Sequence, residues 1–307
     1  MFEQLASADL FVHDSQRAYD VLRGPLGLFE PRGIWRQVWP DWGFDARWCR
    51  TNLDLAVSPT HVEIIAPLDS PDPSIGHPQM RAMYDAQGGR LYKTHSTPIA
   101  VDDVEELARR LSRAGAIFRL DEPEGELPFP RLWLGRAADR PGDYDPTSDG
   151  GLYLEFVPAL NFPTKADDTK QPPAGHPVKR VSARTMIVDD IDSTLTTLDH
   201  NLGWSPSAAV ARRRDDRVAV FTFDHPGSAA LEVVEPGERG PAREYHQAWG
   251  FGPYALALEV TDRASAVAAL VEGGLLEDDP GTDVIRPDYR RTFGVQLEFH
   301  DGERSST

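Results

Sequence analysis

The chain has 307 residues, of which 49 are acidic and 32 are basic, so its formal net charge is -17. This charge opposes nucleic acid or an anionic membrane as a partner, and a small or neutral ligand is expected instead. A single cysteine, Cys49, excludes a disulfide framework within one chain. The absence of a basic and apolar leader pattern and of any run of about 18 apolar residues predicts a cytoplasmic protein.

Four times along the chain, a short apolar strand pattern ends in an acidic residue and is followed by a helical pattern. These opening segments are residues 10–14, 99–103, 186–190 and 258–262. Later in each copy, a second apolar strand pattern carries one glutamate at a matching place. The four glutamates are Glu63, Glu155, Glu232 and Glu298. A repeat of this length, with one supersecondary unit in each copy, predicts the architecture directly.

The second copy shows the unit most clearly. Residues 98–101 predict a strand, and Asp102 and Asp103 lie where a helix N-cap and first turn are expected. The apolar positions of residues 104–114 then recur at helical spacing. Two apolar stretches of period two follow, at 131–134 and 152–157. Each copy is therefore expected to form a strand, a helix, and two or three further strands.

The helix exits separate the copies into two kinds. The helices of copies one and three lead into an apolar-Gly-apolar triplet, at 26–28 and 202–204. The helices of copies two and four end at Ala-Gly-Ala, residues 114–116, and at Gly-Gly-Leu, residues 273–275. This alternation indicates that the duplicated unit is a pair of copies. The first predicted domain is 1–158, with modules 1–70 and 90–158. The second is 178–302, with modules 178–236 and 250–302. A linker at 159–177 joins the two domains. Prolines and a scarcity of apolar residues at 163–177 favour the linker.

The chain resembles the vicinal oxygen chelate superfamily in four features. These are the paired βαβββ modules, the helices that begin at an acidic residue, the Leu-Gly-apolar exits and the strand that carries one glutamate. That superfamily includes glyoxalase I, bleomycin resistance proteins and extradiol dioxygenases. The resemblance covers nearly the whole chain and implies an α+β fold of four βαβββ modules. The modules would pair into two open, cup-shaped mixed β-sheet domains with the helices outside. Members of the superfamily bind their ligand in the concavity, and catalytic members usually hold a divalent metal ion there.

The resemblance implies metal ligands on the first and last strands of each module. The first-strand places hold Ser7, Ser96, Ala183 and Ala255, and none of these is the expected histidine. In the second domain the two alanines supply no ligand, so that half is expected to lack a metal centre and to act as scaffold, dimer surface or lid. The first domain keeps polar groups at all four places, and a reaction centre is predicted there.

The predicted catalytic residues are Glu63 and Glu155, and the predicted substrate-binding serines are Ser7 and Ser96. His61 lies two residues before Glu63, on the same face of its strand, and His95 lies next to Ser96. With Glu63 and Glu155, these imidazoles would suit one divalent ion of Fe, Mn, Zn, Ni or Mg. The alternative for His61 is an exposed strand end, and for His95 it is packing beneath the helix. Metal dependence is left open.

The segment 34–48 contains four of the seven tryptophans of the chain. Aromatic surface with interleaved arginines is typical of a site for a planar organic ligand or of a protein interface. Trp35 and Trp39 are therefore predicted to contact the ligand as a pocket wall or lid. The alternative is a hydrophobic cover, or the interface of a homodimer.

The segment 212–217 carries four arginines and two aspartates. A cluster of this kind could indicate an anion site. Mixed signs in so short a segment are more typical of a solvated hairpin between two strands, and a hairpin is predicted here.

Two classes of function remain. The first is an enzyme of lyase or isomerase type that acts on a small oxygenated organic molecule in the first cup, where exclusion of water would raise the pKa of a glutamate. The second is a non-catalytic protein that binds an aromatic or antibiotic-like molecule. An extradiol-type dioxygenase is a third option, opposed by the missing imidazoles. Acidic residues in otherwise apolar strands favour the enzyme, because an unpaired buried charge is costly.

Overall fold

The computed structural model describes residues 1–12, 15–28, 36–39, 44–51, 57–67, 97–123, 129–137, 144–161, 177–292 and 295–302. The fold is α+β, as predicted, with mixed sheets and with most helices packed in one main core. The helix Pro241–Trp249 instead packs against the opposite face of its sheet, where Ala242 lies in a cluster with Ile187 and Val234. Most of the predicted linker lies outside the described residues. Within the described residues, no helix is long and apolar enough to cross a lipid bilayer.

The elements of the first half are β1 (Phe2–Leu5), β2 (Ser7–Phe11), α1 (Ser15–Arg23), β3 (Arg36–Trp39), β4 (Phe44–Cys49), β5 (His61–Pro67), β6 (Thr97–Val101), α2 (Val104–Ala114), β7 (Phe118–Asp121), β8 (Arg131–Leu134) and β9 (Leu154–Pro158). Short 3-10 helices span Pro146–Ser148 and Ala159–Asn161. The elements of the second half are β10 (Val178–Ile187), α3 (Ile191–Leu202), β11 (Ala211–Arg213), β12 (Asp216–Phe221), β13 (Ala230–Glu235), α4 (Pro241–Trp249), β14 (Gly252–Val260), α5 (Arg263–Glu272) and β15 (Gln296–His300).

Helix α2 has the bounds that the sequence predicts. The side chain of Asp103 accepts a hydrogen bond from the backbone N–H of Glu106, which satisfies one of the free donors of the first turn. Val104, Leu107 and Leu111 are buried on one face of the helix. Gly115 ends the helix in the left-handed conformation, at φ 75°, where its N–H caps the last turn.

The strands form three sheets, with the orders β1-β6-β9-β8-β7, β2-β5-β4-β3 and β11-β12-β13-β10-β14-β15. In each of the four copies, the opening strand and the glutamate-bearing strand are parallel neighbours, namely β2 and β5, β6 and β9, β10 and β13, and β14 and β15. This pairing fixes each glutamate beside a residue of the opening strand. The two sheets of the first half meet at Ala6, whose N–H bonds to Pro98 and whose carbonyl accepts from His61.

The fourth copy departs from the predicted module. Between α5 and β15, the described residues form no further named strand, and only an isolated bridge joins Ile285 to Phe299. Backbone groups in this segment are instead bonded in turns, including Arg291 to Asp288 and Val295 to Thr292. The second-half sheet therefore ends at β15 in the described part of the chain.

Candidate functional site

The candidate site lies on the face of the first-half sheets that is turned away from helix α1. Helix α1 buries Ala18 and Leu22 in the same core as Leu10 and Ile64. Because successive side chains of a strand point to opposite faces, Asp9 and Glu63 point to the other side of the sheet. We call this face the N-terminal cup.

Asp9 and Glu63 are cross-strand neighbours in the parallel pair of β2 and β5. Asp9 is only 4% exposed, and its carboxylate accepts a hydrogen bond from the hydroxyl of Ser7. On the other side of Glu63, Trp48 of β4 is its antiparallel partner and is hydrogen-bonded to it. Register thus brings two acids, a hydroxyl and an indole together on one surface.

The pKa of Glu63 is raised well above its usual range. Burial is the largest cause, the negative charges of Asp9 and Glu155 add to it, and the hydrogen bond to Trp48 opposes it. The carboxyl group of Asp9 thus makes the ionised form of Glu63 less favourable.

Glu155 completes the acidic surface from the second sheet. It is buried on β9, between Pro98 of β6 and Trp133 of β8 in register. Trp133 shares its face with Glu155, and its indole N–H donates to Asp121 at 2.9 Å. The N-terminal cup therefore combines three acids with the aromatic surface of two tryptophans.

His61 lies on the same face of β5, opposite Ser7, and is half-buried. Its Nδ1 is 3.2 Å from the carbonyl oxygen of Ala6, which can only accept a hydrogen bond, so Nδ1 carries the proton. Burial and then the charge of Arg50 lower the pKa of His61 to about 3. The ring is therefore neutral at neutral pH.

The remaining predicted site residues are beyond what the structure describes. Ser96, His95 and Trp35 lie outside the described residues. Trp39 belongs to β3, but its side chain lies outside the described part. Their roles remain predictions.

Sequence reasoning missed Asp9. The residues opposite the four glutamates on the opening strands are Asp9, Pro98, Thr185 and Ala257. Each lies two residues after the predicted place, which is Ser7, Ser96, Ala183 or Ala255. The signal was present, because Asp9 follows Ser7 by two residues and so shares its face in a strand that is otherwise apolar.

The glutamates of the second half have a different electrostatic environment. Glu232 accepts hydrogen bonds from Arg213 at 2.7 Å and from Thr185 at 3.2 Å. Glu298 accepts from Arg286 at 2.8 Å. Both carboxylates are therefore compensated by arginines, whereas Glu63 lies against another acid.

The predicted hairpin at 212–217 is present, because β11 and β12 pair antiparallel around Arg214, which has φ 57°. It is not merely a solvated turn. Arg213 bonds Glu232, and Arg217 bonds Glu235 at 2.9 Å and Asp192 at 2.7 Å. Arg213 and Arg217 thus neutralise two acids of the second-half sheet and one acid of helix α3.

The described donors do not by themselves fit a divalent metal centre. Among the residues that the structure describes, no group of three His, Cys, Asp or Glu residues could hold a metal ion. Asp9 and Glu63 contact each other, and His95 lies outside the description. A metal ion would need donors beyond this set.

No protein-family model matches the chain, and no curated protein matches it in sequence. Solved structures match over nearly its whole length. A triple mutant of 4-hydroxymandelate synthase from Streptomyces coelicolor has a TM-score of 0.64 at 14% identity, covering 100% of this chain and 96% of the other. BphC, a halotolerant catechol dioxygenase, has a TM-score of 0.56 at 14% identity, covering 98% of this chain and 87% of the other. At this identity the likeness concerns the fold alone, which the chain shares with these two structures.

Proposed function

We propose that the chain is an enzyme that acts on a small oxygenated organic molecule in the N-terminal cup, with Glu63 as the proton-transferring residue. The observation that carries the proposal is the cross-strand pairing of Glu63 with the buried Asp9, near the buried Glu155. Buried acids in mutual contact are unfavourable for folding alone. At the matching places of the second half, the chain puts arginines against the glutamates instead.

The arrangement favours proton transfer. A raised pKa brings Glu63 closer to the operating pH, where a carboxyl group is most effective as a general acid or base. In its ionised form, Glu63 would take a proton from a carbon next to a substrate carbonyl, and the electron pair would move into that carbonyl. Return of the proton to another carbon completes an isomerisation, and loss of a leaving group completes a lyase reaction. Trp48 fixes the carboxyl group of Glu63 by its hydrogen bond.

An aromatic substrate is the class that we favour. Trp48 lies on the same surface as the acids and is partly exposed, so its ring could contact a planar molecule. Trp133 is buried beneath the guanidinium of Arg131 and supports this surface from below. The two similar structures support this choice, because these enzymes are named for hydroxymandelate and catechol, which are both aromatic. The fold alone does not select the reaction.

A reaction of dioxygenase type with a bound metal ion is the second candidate, since one of the two structures is a catechol dioxygenase. The described donors do not form a metal set, so none of the steps above uses a metal ion. Metal analysis of protein purified without chelator separates the two candidates. A stoichiometric divalent ion that is lost in the Glu63→Gln variant would favour the metal-dependent reaction.

Proton exchange tests the proposal directly. A panel of aromatic 2-hydroxy and 2-oxo acids is incubated with the protein in deuterium oxide, and proton NMR follows exchange or turnover at the carbon beside the carbonyl. We expect Glu63→Gln to slow the reaction by about a hundredfold or more.

Glu232→Gln is the matched control, because Glu232 occupies the same place in the repeat but is paired with Arg213. It should retain the wild-type rate. A rate that Glu63→Gln leaves unchanged, or a protein that only binds members of the panel without exchange, would contradict the enzyme and favour a binding protein.

A further inference from the structure

A cavity of about 320 Å³ is lined by residues of the second half of the chain. Helix α4 forms one wall, and Tyr254 of β14 and Gln296 of β15 contribute to the others. A volume of this order is sufficient for a small organic molecule. We call it the second-half cavity.

The walls of the second-half cavity are mainly aromatic. Its lining includes Tyr245, Trp249, Tyr254 and Tyr289. The ring of Tyr245 lies 5.0 Å from that of Tyr254 in an edge contact and 6.5 Å from that of Trp249, measured between centroids. The hydroxyl of Tyr245 donates to the carbonyl of Pro253, which fixes this ring between the other two.

The cavity is lined by one acid and one base. Glu244 lines the cavity, is exposed, and forms no ion pair within the described residues. Arg290 also lines it, but its guanidinium lies 3.8 Å from Asp288 and 5.5 Å from the ring centroid of Tyr289. Arg286, whose charge acts on Tyr254, is paired with Glu298 at 2.8 Å. The buried Arg184, whose charge acts on Tyr245, donates to the backbone carbonyl of Asp9 at 3.0 Å. Each of these arginines thus has a described partner, whereas Glu244 has no ion-pair partner among the described residues.

We propose that the second-half cavity binds a small organic cation with a methylated or quaternary ammonium group. Ring faces carry negative electrostatic potential and attract a weakly hydrated cation, and Glu244 supplies the opposite charge. The net charge of -17 further favours a cationic ligand over an anionic one. The proposal does not depend on the function proposed for Glu63 and Asp9, which lie in the other half.

A pair of isosteric probes tests the charge requirement. Calorimetric titration of the whole protein with choline and with its neutral carbon isostere, dimethylbutanol, compares two ligands of nearly the same shape. We expect choline to bind about tenfold more tightly than dimethylbutanol. Added salt should weaken choline binding, because the contribution of Glu244 is screened.

Variants locate the site. Trp249→Leu removes a ring face and should abolish detectable choline binding, whereas Tyr254→Phe keeps the ring and should retain it. Glu244→Gln should weaken choline binding about threefold, whereas Glu272→Gln, an exposed acid that does not line the cavity, should have no effect. Unchanged circular dichroism of each variant verifies folding.

Two results would overturn the proposal. Equal affinity for choline and dimethylbutanol would show an apolar cavity without a preference for charge. Choline binding that persists in Trp249→Leu, or no binding of choline at all, would show that this cavity is not a cation site.

Discussion

Glu232 and Glu63 occupy the same place in the repeat, yet one lies against an arginine and the other against an acid. The side chain of Glu232 is 5% exposed, and Arg213 supplies the charge that its burial requires. Glu63 obtains no such charge from Asp9, and its pKa is raised. Loss of the neighbouring side chain should therefore have opposite effects: ionised Glu232 becomes less stable without Arg213, whereas ionised Glu63 becomes more stable without Asp9.

Removal of the arginine tests the first environment. Arg213→Met leaves the carboxylate of Glu232 buried without its arginine. The longer hydrogen bond from Thr185 remains. We expect the free energy of unfolding to fall by about 2 kcal/mol, less than for a fully buried pair because Arg213 is partly exposed. Urea unfolding measures the loss.

The control for this prediction replaces both charges. The double variant Arg213→Met with Glu232→Met should recover most of the lost stability, since no buried charge remains uncompensated. Equal destabilisation of the single and double variants would show that the ion pair is not the cause.

The pH dependence of stability tests the second environment. The pKa of Glu63 is higher in the folded protein than the ordinary 4.5, so the folded state holds more protons. This contribution to stability is fully present below pH 4.5 and is lost as the pH rises through the folded-state pKa. Glu63→Gln should remove this part of the slope, which thermal unfolding at a series of pH values would reveal. Parallel curves for the two proteins would contradict the shift.

At the residue scale, strand periodicity predicted which glutamates enter the cup but not what faces them. The alternation of β5 places Glu63 and His61 on one face, and this follows from sequence alone. The register between β2 and β5 is set by non-local pairing, and it puts Asp9 rather than Ser7 opposite Glu63.

At the scale of elements, helix α2 was predictable because its signals are local. The Asp103 cap, the apolar stripe and Gly115 all lie within the helix or next to it. We expect Asp103→Ala to lower the free energy of unfolding by about 1 kcal/mol, through loss of the bond to the N–H of Glu106. The neighbouring Asp102→Ala removes only an exposed contact with the terminal amine and should have a smaller effect. Similar losses for both variants, measured by urea unfolding, would count against the cap.

The segment before β15 could not be predicted in the same way. The sequence pattern of the other three copies favoured further strands there, but the described residues form turns and one bridge at Ile285. Strand formation depends on a neighbour that offers hydrogen bonds, and this requirement is not visible in a local pattern.

The turn before β9 depends on one buried carboxylate. Asp149 accepts hydrogen bonds from the N–H groups of Gly151 at 3.0 Å, Leu152 at 3.3 Å and Leu154 at 2.9 Å, and from the hydroxyl of Tyr144. Burial raises its pKa to about 6, although these bonds oppose the shift. The turn thus holds β9, and with it Glu155, in place.

Asp149→Asn should therefore destabilise the turn, although the two side chains have nearly the same size. The amide nitrogen would point a donor at groups that are themselves donors, and we expect a loss of about 3 kcal/mol in the free energy of unfolding. Asp145→Asn, at an exposed position of the same turn, is the control and should lose less. A loss in Asp149→Asn no larger than in the control would contradict this role.

At the scale of the whole molecule, the two halves share one hydrophobic core. The ring of Phe2 lies 6.2 Å from that of Phe156 and 4.6 Å from that of Trp204, so it packs against both halves. Polar contacts join them as well, including Arg110 to the carbonyl of Asn201 at 3.0 Å and Thr194 to the carbonyl of Gly150 at 3.0 Å. The proline-rich segment 163–177 predicted two domains that follow each other along the chain. It could not predict that the two halves pack against each other.

We expect the halves to unfold together. Differential scanning calorimetry of the whole protein should give one cooperative transition, and the segment 1–161 alone should be insoluble because its half of the shared core is exposed. Two well-separated transitions, or a soluble and folded first segment, would contradict a shared core.

Strand β1 lies at the start of the chain, yet the edge that does not pair with β6 is covered by residues 224–228. The N–H of Leu5 bonds the hydroxyl of Ser228, 223 positions later, and the carbonyls of Phe2 and Glu3 accept from Asp224 and His225. At the usual speed of translation, this edge waits on the order of ten to forty seconds for its partner. During that time the edge is open to pairing with a strand of another chain. The order of synthesis thus leaves the edge uncovered until these residues have been made.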